Sequence, residues 1–180
     1  MNGKVDEVIV TIRNTVMSAT AAYFQNTLDI AFLSTETYAG EINMLEPRDM
    51  TTIIAISGPV KALIAFCFDE TVVSHLVEIE TAGLEIPGDE LNIYRHDVVA
   101  EIANIILGHS LKALAGSGEA IALSPPLVLE GKGSFRRPKG ANFAHVSYKT
   151  YYGYMDVDFI SPVDLGTVKS GLVINSGVKL

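Results

Sequence analysis

The sequence predicts an α/β protein of the α+β kind, in which helices pack on a mainly antiparallel sheet. Two long stretches space their apolar residues with a helical period. Short β-branched and aromatic runs stand in closely linked pairs, as antiparallel hairpins do. The element order also recurs, each half of the chain reading as helix, extended segment and hairpin. The 180 residues, 48% hydrophobic and 19% charged, suffice for one compact domain or two closely merged halves with a sizeable core.

The elements follow in order. Residues 6–25 carry Val8, Ile12, Val16, Ala19, Ala22 and Tyr23 at helical spacing. "TTIIAIS" and "KALIAFCFD" read as strands joined through "SGPV", a hairpin. "ETVVSHLVEIETAG" reads as a short helix ending near Gly83. Asp89, in "PGDELN", is positioned to cap the next helix through its side-chain oxygen. That long central helix runs to about Ala115 and stops at "GSG". After it come an extended segment, "AIALSPPLVLEG", and two alternating runs, "NFAHVSYKTY" and "YMDVDFI", which flank "YYG" as a second hairpin. The chain therefore divides into a domain over residues 1–160, built of two pseudo-repeated helix-plus-three-strand halves, and a tail over 161–180 of unassigned role.

Several function classes are excluded or unsupported. A net charge of −8 argues against nucleic acid held by an overall basic field. The one basic patch, "GKGSFRRPKG" with Lys132, Arg136, Arg137 and Lys139, is a Gly- and Pro-rich loop: either a solvated hairpin tip or a local steering site for an acidic partner. No apolar run spans a membrane, and "MNGKVDEVIV" lacks the pattern of a signal peptide, so a cytoplasmic location is expected. Cys67 is alone and reads as a small buried side chain. There is no phosphate loop, no cysteine cluster and no paired histidine at metal spacing. His75, His96, His109 and His145 are scattered; His109, on the apolar side of the long helix, reads as a core or interface residue rather than a metal ligand. Ser124, Ser134 and Ser147 lack the context of a hydrolase nucleophile.

What remains is "DVVAEIANIILG", residues 97–108. At about 100° per residue, Asp97, Glu101, Asn104 and Gly108 share one narrow stripe. Val98, Ile102, Ile105 and Ile106 lie opposite, with Ala103, Leu107 and Leu114 on the flank. A helix apolar over most of its girth is nearly engulfed by its domain, so the stripe is its only outward surface. Glu and Asn at i and i+3 are neighbours. Asn offers both a donor and an acceptor to a water, Glu can pair with a cation, and Gly108 allows another chain close, at about 1 kcal/mol of helix propensity relative to Ala. The plain alternative is an ordinary solvated edge.

"DVVAEIANIILGHSLKALAG" followed by "IALSPPLVLEG" closely resembles the signature of the CheC/CheX/FliY chemotaxis phosphatases. That signature is D-x-x-x-E-x-x-N on a long helix, followed by small residues and, some twenty positions on, a Pro where a strand begins. Asp97, Glu101, Asn104 and Gly108 match, with Pro125 or Pro126 as the Pro. The resemblance covers roughly residues 5–160. The first long helix has no E-x-x-N, which departs from the two-site CheC pattern and looks like the single-site CheX branch. The absence of a second, C-terminal switch domain counts against FliY.

The resemblance implies a CheC-like fold and hydrolysis of the aspartyl phosphate on a CheY-like response-regulator receiver domain. Asn104 would orient the attacking water, and Glu101 would pair with the receiver's Lys. No cofactor of its own is implied; Mg²⁺ would come with the receiver. It also implies a homodimer. The rival readings are a non-catalytic receiver-binding module and a homodimeric scaffold. Nothing in the sequence names the receiver or its pathway.

Overall fold

The structure, a computed structural model, describes residues 2–40, 44–58, 61–82, 84–114, 121–136 and 141–161. The elements run α1 (Asn2–Asn26), β1 (Ser34–Gly40), β2 (Met44–Leu45), β3 (Met50–Ser57), β4 (Ala62–Phe68), α2 (Glu70–Glu80), α3 (Leu91–Leu114), β5 (Ala122–Leu123), β6 (Leu127–Glu130), β7 (Phe135–Arg136), β8 (Asn142–Thr150) and β9 (Gly153–Ser161). The predicted α+β class, the long helices and both hairpins are present. The "GSG" stop, Arg137, Lys139 and residues 162–180 lie outside the described residues.

One antiparallel sheet runs β1-β8-β9-β4-β3-β5, with β6 also on β3. The two predicted hairpins, β3–β4 and β8–β9, meet through the central β4–β9 pair, where Phe66 lies opposite Val157. The halves are interleaved rather than side by side. β1 from the first half pairs with β8, and β6 from the second half pairs with β3. α2 belongs to the first half alone. The β8–β9 turn depends on Gly153: its φ is +133°, and a Cβ there would lie 2.9 Å from the Thr71 hydroxyl and 3.0 Å from an Asp69 carboxylate oxygen.

Alternation along the strands gives the sheet two different faces. Ile54, Ile64, Phe66, Phe68, Val146, Met155 and Val157 all point to the helical side and are buried. They meet Val16 and Phe24 of α1, Leu76 of α2, and Val99, Ile102 and Ile106 of α3. Each such side chain contributes roughly 1.5–3 kcal/mol by leaving water. The opposite face carries a smaller core of Leu45, Ile53, Leu63, Cys67, Phe135, Phe143 and Ile160, covered by the β2–β7 ribbon. Phe135 is therefore an anchor inside the predicted basic loop, which is not simply a solvated tip. Lys132 remains at the surface, 3.8 Å from Asp49.

Beside that second core the sheet face turns polar. Arg48 holds Asp156 on β9 through two nitrogens, and Asp69 at 2.8 Å. His145 Nδ1 lies 2.7 Å from Asp158, whose other oxygen accepts the Cys67 thiol at 3.5 Å. Cys67 is buried, as expected, and that burial, followed by the Asp158 charge, pushes its thiol well above the ordinary range. The same hydrogen bond to Asp158 raises the pKa of His145.

Candidate active site

The candidate site is built on α3, and three neighbours fix that helix. α1 and α2 pack on it, and the sheet supports it through β3 and β6. Val98, Val99, Ile102, Ala103, Ile106 and Leu107 are buried around most of its girth. Ser110 is also buried, and its hydroxyl donates to the Ile106 carbonyl at 2.7 Å. The N-terminal turn is tied down by Arg95, which pairs with Glu70 of α2 and lies 3.5 Å from Glu130 of β6.

The predicted Asp89 cap does not form. The first carbonyl taken up by the helix is that of Glu90, which accepts from Ile93 and Tyr94. The turn at Gly88 and Asp89 leaves the Asp89 side chain exposed and one position too early.

Against this buried background Asp97, Glu101 and Asn104 are all exposed, and Gly108 is half-buried between them and the helix C-terminus. A Cβ at Gly108 would meet nothing within 4 Å. No packing inside this chain requires a glycine there. The stripe is thus a row of polar groups on a rigid support, with an open step at one end. Rigidity matters chemically, because a side chain that must place a water gains from a backbone already fixed.

Glu101 has an electrostatic link to two residues that the sequence did not assign to the site. Tyr23 of α1 reads from its spacing as an apolar helix position. It is 7% exposed, and its phenol pKa is raised by burial first, then by the charges of Glu80 and Glu101. Glu80, at the end of α2, and Glu101 therefore both act on the same phenol. Local sequence gave no signal for the pairing, since three different helices bring these residues together.

His109 is not a core residue, one of the two settings expected for it. It is exposed and lines a groove with Thr11, Asn14, Thr15, Ser18 and Ala22 of α1. The facing α1 residues are too small to cover the ring. Among the described residues no group of three or more His, Cys, Asp or Glu is placed to hold a metal. No described helix is long and apolar enough to cross a membrane.

Comparison with known proteins gives this geometry a family. The chain resembles, at 19% identity and a TM-score of 0.70, the chemotaxis protein CheX from Desulfovibrio desulfuricans, over 82% of this chain and 97% of that one. CheX from Vibrio vulnificus matches at 19% identity and a TM-score of 0.65, over 82% and 97%. A CheX–CheY–BeF3–Mg²⁺ complex from Borrelia burgdorferi matches at 17% identity and a TM-score of 0.63, over 82% and 94%. These likenesses establish the fold. No curated protein matches the chain. The model of the family described as chemotaxis phosphatase CheX matches residues 50–149, more than half the sequence and inclusive of the whole α3 stripe, so the chain belongs to the CheX family.

Proposed function

We propose that this protein hydrolyses the aspartyl phosphate of a CheY-like receiver domain. The observation that carries the reading is the exposed Glu101–Asn104 pair on a helix buried around most of its girth. Asn104 orients a water in line with phosphorus. The water's oxygen bonds to phosphorus and the bond to the aspartyl oxygen breaks. The products are the free carboxylate and inorganic phosphate. Glu101 pairs with the receiver's Lys. Neither side chain acts as a nucleophile, so the site needs no catalytic triad. An acyl phosphate is already reactive, and alignment is the larger part of what a partner must add.

Mg²⁺ enters with the receiver in this reading. The related Borrelia complex, which contains CheX, CheY, BeF3 and Mg²⁺, supports it. A homodimer is also proposed. β1 lies at the end of the sheet, and residues 34–38 are exposed, so one strand edge is open to a second copy. The test is phosphate loss from a phosphorylated receiver with and without the protein. Acceleration supports the enzyme. Binding without acceleration contradicts it and leaves the receiver-binding module.

A further inference from the structure

Most large aliphatic side chains of α3 are withdrawn from water, but not those of its first turn. Val98, Val99, Ile102, Ile106 and Leu107 are buried, whereas Leu91 is 42% exposed and Ile93 61%. A single exposed aliphatic residue is ordinary on a protein surface, so exposure alone decides nothing. Position does. At about 100° per residue, Ile93 lies about 20° from Asn104 around the helix, Leu111 about 20° and Ala100 about 40°. Ala100 and Leu111 are half-buried. Asn104 therefore stands in a row with Ile93, Ala100 and Leu111, while Leu91 falls about 140° away. Nor is Ile93 exposed by a loose helix end. Its N–H donates to the Glu90 carbonyl at 2.9 Å. Two residues on, Arg95 pairs with Glu70 of α2 and lies 3.5 Å from Glu130 of β6.

We infer that Ile93, Ala100 and Leu111 form an apolar docking strip for the receiver domain, with Ile93 as its main contact. This inference rests on the receiver-phosphatase reading of Glu101 and Asn104, and adds a means of choosing among receivers. The dimensions agree. Ile93 is eight residues from Glu101 and eleven from Asn104, about 12 and 16 Å along the helix axis. A protein interface of ordinary size covers about 800 Å² on each partner, a patch roughly 16 Å in radius. A receiver held by both polar residues therefore lies over Ile93 as well. A second copy of this chain on the same strip would instead cover Asn104. The receiver that fits carries an aliphatic or aromatic contact about 16 Å from its phosphorylated Asp. One with a charged side chain there would bury that charge against Ile93 without a partner, at a cost in affinity. The strip thus discriminates between receivers that share the same phosphorylation pocket.

Steady-state dephosphorylation of a phosphorylated CheY-like receiver, varied in concentration, separates docking from the chemical step. Ile93→Ala should raise the half-saturating receiver concentration roughly 4- to 15-fold, the scale of one to two buried methylene groups, and leave the rate at saturation within about twofold of wild type. Ile93→Asp should raise that concentration further, because the new charge is buried unpaired. Ile93→Leu, of equal volume, should stay near wild type. Leu91→Ala, at the same helix end but off the row, should leave docking unchanged. Ile93 is exposed, so these substitutions should leave circular dichroism as it is. The inference is overturned if Ile93→Ala and Ile93→Asp keep the wild-type half-saturation, if Leu91→Ala weakens docking as much as Ile93→Ala, or if Ile93→Ala lowers only the rate at saturation. Loss of a dimer in light scattering of Ile93→Asp, with the receiver titration unchanged, assigns the strip to a second copy and also overturns it. A wild-type protein that fails to accelerate the reaction overturns the reading of Glu101 and Asn104, and this inference with it.

Discussion

Replacing Gly108 by Ala should make the protein more stable and less active. The two signs come from different places. In a helix interior Ala is favoured over Gly by roughly 0.5–1 kcal/mol, because glycine loses more backbone freedom on folding. The new methyl group meets nothing within 4 Å inside the chain, so no steric penalty offsets that gain. For a chain of this length a gain of 1 kcal/mol raises Tm by roughly 2–4 °C. In the docked state the account puts a receiver against the same step beside Asn104. Forcing a methyl into a fitted contact costs about 1–3 kcal/mol, or roughly 5- to 150-fold in docking. Thermal unfolding by circular dichroism gives the first number, and titration of a beryllofluoride-loaded receiver with Mg²⁺ gives the second. A variant with raised Tm and unchanged receiver affinity refutes the reasoning: Gly108 would then have no role in approach.

The remaining predictions concern anchoring, pH and assembly. Glu101→Gln should weaken receiver binding, and the gap between it and wild type should narrow at high salt, as for a partly exposed ion pair; a gap that stays constant with salt contradicts the anchor role. His145 has its folded pKa raised by the hydrogen bond to Asp158, so its contribution to stability is full below its unfolded pKa near 6.5 and is lost as pH rises through the higher folded value. Urea unfolding should therefore separate wild type from His145→Gln more at about pH 6 than at about pH 8.5, and the reverse order counts against the pair. Light scattering at micromolar concentration should give a dimer, in which the thiol of Asn104→Cys still reacts with a soluble probe. A monomer contradicts the assembly proposal, and a dimer with that thiol protected closes the face on which the chemistry depends.

The two hairpins and the long helices were legible from local signals: continuous apolar runs joined by a short link for β3 and β4, alternation for β8 and β9, and a period of 3.6 for α1 and α3. The burial of α3 was legible for the same reason, and with it the exposure of Glu101 and Asn104. What the sequence hid depends on distant packing. Nothing near β1 shows that it pairs with β8, more than a hundred residues away. Phe135 sits among Gly and basic residues, and only the β2–β7 ribbon turns it into core. His109 has apolar neighbours along its helix, but its exposure is decided by small residues on α1. Tyr23 and Glu80 join the site for the same kind of reason, since separate helices carry them to Glu101.

The central claim is that Asn104 aligns the attacking water. The most direct measurement is the rate of phosphate loss from a phosphorylated receiver in the presence of Asn104→Ala, at protein concentrations that saturate docking. Saturation separates alignment from binding, because the proposed anchor, Glu101, is left in place. The account predicts a fall on the order of 10²-fold or more, as for loss of one positioned polar group, with circular dichroism unchanged. A folded Asn104→Ala protein that dephosphorylates the receiver at nearly the wild-type rate contradicts it.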